Sequence, residues 1–140
     1  MKIAVPPVVL KASALLTRHG FQAYVVGGAL RDTYLGRKPT DWDITTDATP
    51  NDIERIFERS IPTGRQFGTM TVLLDGDSLE ITTMRSDGPY SDGRHPDYIT
   101  LTNNIHDDLS RRDFTINAVA YDPISGHTID PFSGLRHLRK

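Results

Sequence analysis

A short apolar run, Ala23-Tyr24-Val25-Val26, ends at Gly27-Gly28, and a few turns of chain later comes Asp41-Trp42-Asp43-Ile44. The run reads as a buried strand, the two glycines as a tight turn, and residues 29–35 as a helix stopped by Gly36. If residues 41–45 form the next strand, alternation puts Asp41 and Asp43 on one face, roughly 7 Å apart along the backbone. Paired carboxylates at that separation can converge on two divalent cations about 4 Å apart, the geometry that clamps the attacking and leaving oxygens in phosphoryl transfer. The glycine turn brings bare backbone N–H groups toward phosphates. The pattern points to nucleotidyl transfer, although an Asp-X-Asp alone is also an ordinary surface strand or turn.

The rest of the chain mixes helices with short strands. Val8, Val9, Ala12, Leu15 and Leu16 form a helical stripe over residues 6–19, with Gly20 as its stop. Thr49-Pro50 opens a helix whose buried stripe is Ile53, Ile56 and Phe57, since Thr is a good N-cap and Pro suits the first turn. Residues 68–74 and 79–85 are β-rich and flank Asp75-Gly76-Asp77, a hairpin signal. Residues 86–96 have no strand or helix period and are expected to form a mobile polar loop. Beyond it, residues 98–101 read as a strand, 105–109 as a helical turn, 114–120 as a helix or a helix-to-strand passage, and 121–130 as a hairpin around Ser125-Gly126. Residues 133–140 read as the start of a basic helix. Without strict β-α-β alternation, the expected class is α+β with a mixed sheet.

Length and composition narrow the function. The chain has 140 residues, enough for one domain with a real core. No cysteine is present, so disulfide, thiolate-metal and thiol-nucleophile chemistry are excluded. No apolar run approaches the ~18–20 residues of a membrane span, and the start carries no signal-peptide pattern. A cytoplasmic protein without membrane association is expected. Net charge is −2, so a polyanion must be met by local cations: Arg31, Arg37, Lys38, Arg111, Arg112 and the basic end. The five histidines lack zinc spacing, and neither a serine triad nor a P-loop is present.

Three further places carry candidate chemistry. Glu80 lies between Leu79 and Ile81 on the hairpin's second strand, sharing a face with Thr82 and Met84. It is either a solvent-facing side chain or a third carboxylate that ligates metal or takes the proton of an incoming hydroxyl. Gly27 and Gly28 either just end a strand or present the following helix start to a triphosphate, with Arg31 one turn in. Arg111-Arg112-Asp113, with Asn117 a helical turn beyond Asp113, is either a solvated face or a nucleotide clamp: arginine for phosphate, Asp or Asn for ribose hydroxyls. Asp32 reads as a structural partner of a nearby arginine or amide.

Taken together, Gly27-Gly28-Ala29-Leu30-Arg31-Asp32, Asp41-Trp42-Asp43-Ile44, Arg111-Arg112-Asp113-Phe114-Thr115-Ile116-Asn117-Ala118 and Asp130-Pro131-Phe132 resemble the catalytic head of the class II tRNA nucleotidyltransferases. This family holds bacterial CCA-adding enzymes and poly(A) polymerases and is related to the DNA polymerase beta superfamily. Asp47-Ala48-Thr49-Pro50, Phe67-Gly68-Thr69 and Asp92-Gly93-Arg94-His95-Pro96-Asp97 support it. The resemblance implies a nucleotidyltransferase head with a small mixed sheet flanked by helices, over residues 1–132, and a truncated start of the following helical region at 133–140. It implies attack of a tRNA 3′-hydroxyl on the α-phosphate of CTP or ATP, with release of pyrophosphate. Asp41 and Asp43 would hold two Mg²⁺ ions, with Glu80 as a third carboxylate. Gly27, Gly28 and Arg31 would meet the triphosphate, and Arg112, Asp113 and Asn117 the nucleotide. Residues 86–97 match a loop that helps such enzymes switch from C to A addition, which argues against a CC-only enzyme. The family's base-selecting neck helix and its tRNA-gripping domains are outside these 140 residues. CCA, A-only and poly(A) addition therefore all remain open, and weak tRNA binding is expected of this segment alone.

Overall fold

A computed structural model of the chain describes residues 5–37, 42–87, 90–94, 99–112 and 118–131. In chain order the elements are α1 (Pro7–Arg18), β1 (Ala23–Val26), α2 (Gly28–Tyr34), β2 (Asp43–Thr46), α3 (Pro50–Ile56) and β3 (Ser60–Gly64). A 3-10 turn, Arg65–Phe67, leads to β4 (Thr69–Leu74) and β5 (Asp77–Thr83). Then come β6 (Arg85–Asp87), β7 (Ile99–Leu101), α4 (Ile105–Ser110), β8 (Ala120–Tyr121) and β9 (Thr128–Ile129). Seven strands form one sheet in the order β3-β4-β5-β2-β1-β8-β9, while β6 and β7 form a separate two-stranded arm. Among the described residues, β2 and β5 run parallel within the large sheet and its other pairs are antiparallel. The mixed α+β architecture expected from the sequence is the one observed.

The β2–β5 register decides what faces where. Ile44 pairs with Ile81 and Thr46 with Thr83, while Asp43 pairs with Glu80 and Thr45 with Thr82. Paired residues share a face and successive residues alternate, so the sheet has one apolar and one polar side here. On the apolar side Val25, Ile44, Met70, Val72, Leu79 and Ile81 pack with Val9, Ala12 and Leu16 of α1 and Ile53 of α3. Burying such side chains supplies about 1.5–3 kcal/mol each before entropy is counted. α3 is set by a capping box: Thr49 Oγ1 accepts from the Asp52 N–H, and Asp52 accepts from the Thr49 N–H. A second cluster joins Val26, Met84, Ala118 and Ala120 to Ile105 and Leu109 of α4. This cluster closes part of the polar side and leaves the Asp43 end of β2 open.

The turn at Asp75-Gly76 has positive φ at both residues, 52° and 82°, as a tight two-residue hairpin requires. Two expectations are corrected. Residues 60–64, given no element in the sequence reading, form edge strand β3. Pro62 cannot donate to a ladder, so it is tolerated at an edge, and the register slips between Ile61 and Gly64 around it. Ser86 and Asp87, read as loop, pair with Thr100 and Ile99. The partner strand, distant in sequence, makes them β; their own sequence has no strand period. The helix expected over 133–140 and most of the passage expected over 114–120 lie outside the described residues. Among the described residues, no helix is long and apolar enough to cross a membrane.

Candidate active site

The site grows from the end of β1. Gly27 has φ 81° and ψ −146°, a conformation open essentially to glycine alone. This lets the chain turn directly from β1 into α2 beside the first residue of β2. A Cβ placed on Gly27 would sit 3.5 Å from Asp43 Oδ2, so bare backbone faces the carboxylate across a van der Waals gap. Val26, the last residue of β1, is the cross-strand partner of Asp43. No layer of core separates the glycine turn from the acidic residue.

Across the parallel ladder, Asp43 lies directly beside Glu80. The same face carries Thr45, Thr69, Thr71 and Thr82, with Thr69 and Thr82 hydroxyls 3.1 Å apart. Asp43 and Glu80 are shared by two clefts. The larger, about 400 Å³, is lined also by Trp42, Thr71, Ser78 and Leu79. The smaller, about 220 Å³, is cationic, lined by Thr45, Arg85, Arg111 and Arg112 among others. Thr45 Oγ1 is buried without a hydrogen-bond partner among the described residues. An orphaned hydroxyl on a polar cleft wall suits a site that takes a polar ligand.

The arginines are held from below. Asp108, fully buried in α4, accepts at Oδ1 from Arg111 Nε (3.3 Å) and at Oδ2 from Arg112 Nη2 (3.1 Å). Burial pushes the Arg112 guanidinium below its usual pKa and Arg111 adds to this, while Asp108 and Asp43 oppose it. Guanidinium stays charged at neutral pH regardless, so the cleft keeps its positive wall. Arg85 donates from Nη1 to the Phe67 carbonyl (2.9 Å) and stacks over the Phe67 ring at 5.5 Å. That contact joins the root of the arm to the 3-10 turn.

The structure thus brings together Gly27, Asp43, Glu80 and Arg112 from the residues singled out in the sequence. Glu80 is exposed on the site face, and Arg112 is half-buried rather than part of a solvated surface. Arg31 lies one turn into α2, exposed, with its Nε 3.6 Å from Asp32 Oδ1, an ion pair of little energetic weight. Gly28 is the first residue of α2. Asp41, Asp113 and Asn117 lie outside the described residues. The sequence reading passed over Asp108, Arg85 and the threonine ladder. Asp108 left a signal, since Arg111 and Arg112 follow it at helical spacings of three and four.

Asp43 and Glu80 offer the hard oxygen donors that suit Mg²⁺. No group of three or more potential metal-ligating side chains occurs among the described residues. The donor set fits a divalent ion if Asp41, two residues before Asp43, contributes.

Known proteins match this architecture. Residues 23–140 match the poly A polymerase head domain family. The chain is 50% identical over 121 residues to a CCA-adding enzyme from Lactobacillus johnsonii, covering 86% of this chain and 30% of that protein. It is 47% identical over 137 residues to the CCA-adding enzyme of Lactobacillus helveticus, covering 96% and 34%. The crystal structure of the Bacillus stearothermophilus CCA-adding enzyme in complex with CTP superimposes with a TM-score of 0.83 at 39% identity, over 96% of this chain and 32% of that one. A tRNA nucleotidyltransferase complexed with a primer tRNA and an incoming ATP analog gives 0.66 at 29% identity, covering 91% and 36%. The chain spans about a third of the length of the curated relatives it matches. With a match over most of its length, and a glycine turn, an in-register acidic pair and an arginine wall on one sheet face, this chain belongs to the poly A polymerase head domain family.

Proposed function

We propose that this domain is the catalytic head of a CCA-adding tRNA nucleotidyltransferase, which extends the tRNA 3′ end from CTP and ATP and acts in the cytoplasm. The observation that carries the reading is the in-register pair Asp43–Glu80, with the Gly27 turn on one side and the Arg111/Arg112 cleft on the other. Its relatives are CCA-adding enzymes, and one similar structure holds CTP. In this reading residues 1–132 form the head and 133–140 begin the helical region that follows.

The 3′-hydroxyl oxygen forms a bond to the α-phosphorus. The bond from that phosphorus to the oxygen bridging it to the β-phosphate breaks, and pyrophosphate leaves with the electron pair. Asp41 and Asp43 would hold two Mg²⁺ ions, which when bound supply charge neutralisation at the transferring phosphoryl group. In this reading Glu80, which is exposed and in register with Asp43, accepts the hydroxyl proton and completes the acidic set. Gly27, Gly28 and Arg31 orient the triphosphate, and Arg112 with Asp113 and Asn117 orients the nucleoside end.

The test uses the full-length protein with tRNA ending before CCA, labelled CTP and ATP, and Mg²⁺. Addition of C, C and A in turn supports the reading. A single A, or a long A tract, assigns the domain instead to A-adding enzymes or poly(A) polymerases, an alternative favoured only by the poly A polymerase name of the matched family. No incorporation from any nucleotide rejects both.

A further inference from the structure

Asp108 is the one fully buried charged side chain among the described residues, and it touches neither cleft. A carboxylate is taken out of water at high cost unless its oxygens are matched by donors. Here three donors meet it from two separate parts of the chain. The Arg85 backbone N–H, at the first residue of β6, reaches Oδ1 at 3.0 Å. Arg111 Nε and Arg112 Nη2, just past α4, supply the other two. Each guanidinium carries five N–H donors and gives Asp108 one, so most remain for the cleft. Arg112 Nε is buried without a partner among the described residues. A carboxylate placed only to stabilise α4 would not need donors from β6.

We infer that Asp108 is a positioning residue: it fixes the direction in which Arg111 and Arg112 present their free donors to the nucleotide and docks the root of the β6–β7 arm on the same carboxylate. This rests on the nucleotide-site reading given above. Asp108 Oδ1 and Oδ2 each hold one arginine, so loss of the charge releases both side chains from one geometry at once. The arm begins on that same Oδ1, so its root and the arginine wall keep a constant offset.

In the full-length protein, kcat and KM for CTP and ATP are measured on tRNA ending before CCA for the parent and for Asp108→Asn, with thermal unfolding alongside. Asn keeps the shape and an acceptor for the Arg85 N–H but gives up the charge. The nucleotide KM is expected to rise about tenfold, with a smaller change in kcat, because charged hydrogen bonds that orient the arginines are lost. Asp108→Glu restores the charge and is expected to recover part of that loss. A folded Asp108→Asn with nucleotide KM within about twofold of the parent overturns the inference. So does a fall in kcat alone that follows the unfolded fraction. If Asp108→Asn does not fold, Arg112→Lys takes its place, since it keeps charge but loses the planar guanidinium whose Nη2 is bonded to Asp108 Oδ2. An unchanged nucleotide KM there overturns the inference equally. A parent that incorporates no nucleotide overturns the function reading and this inference with it; an active parent with unaffected variants overturns this inference alone.

Discussion

The two sides of the β4-β5-β2 sheet are built from alternate residues of the same strands and do opposite work. One side buries Ile44, Met70, Val72 and Ile81 beneath α1 and α3; the other lines Asp43, Thr45, Thr69, Glu80 and Thr82 along open clefts. Stability therefore concentrates on the covered side, where exclusion of water is worth most. The candidate site residues gather on the other side, where carboxylates and arginines line the clefts. The difference shows why an active site on a sheet is cheap to alter structurally: its residues contribute little to the core on the far side.

Four substitutions or conditions press on that contrast. Asp43→Ala is expected to lower nucleotide incorporation about a thousandfold or more, by removing several kcal/mol of transition-state charge stabilisation. Its thermal midpoint should stay within a few degrees of the parent, and a large drop in midpoint would show that the polar side also carries the fold. Ile81→Ala, one residue from Glu80 but on the covered side, is expected to cost about 2–5 kcal/mol in urea unfolding. Its activity at low temperature should remain near the parent value, and selective loss of activity in fully folded protein would erase the contrast. Gly27→Ala joins the two sides, because the residue has φ 81° and its added methyl would contact Asp43 at 3.5 Å. It is expected to cost about 1–3 kcal/mol of stability and to raise the nucleotide KM; an alanine variant with parent stability would mean the backbone relaxes freely there.

The smallest effect concerns α3 and pH. Asp52 is held below the usual carboxylate value of 3.8, first by the Thr49 backbone N–H, with the Thr49 hydroxyl and Arg55 assisting. A depressed native value means the unfolded chain binds the proton more tightly. The contribution is therefore complete above the unfolded value and is lost as pH falls through the lower, native one. Acid titration of unfolding is expected to show a slightly smaller loss of stability below pH ~4 for Asp52→Asn than for the parent. An identical slope would show that the cap does not titrate with the fold.

Much of the site was legible because it is local. Gly27-Gly28 after an apolar strand, Asp43 at the start of the next one and the Arg111-Arg112 pair are each visible within a few residues. Thr49-Pro50 announced α3, and Asp75-Gly76 announced the β4–β5 turn. What escaped the sequence was mostly non-local. β3 and β6 exist because of partners they meet in space, Thr71 and Val72 for the first and Ile99–Leu101 for the second. Asp108 was visible as a helical neighbour of two arginines, but its bond to the Arg85 backbone spans 23 residues.

By itself, the order of residues determined which side chains were available: carboxylates at 41, 43 and 80, glycines at 27 and 28, arginines at 111 and 112, and no thiol at all. It also determined alternation, so that Asp43 and Ile44 had to face opposite ways once they formed a strand. Only the tertiary structure decided that β5 lies parallel to β2 with Glu80 level with Asp43, rather than one residue out of step. Either register satisfies the backbone ladder. A slip of one residue, however, would turn the apolar side of β5 to the cleft and bury Glu80 under α1 and α3, so burial of Ile81, Leu79 and Met70 fixed the pairing.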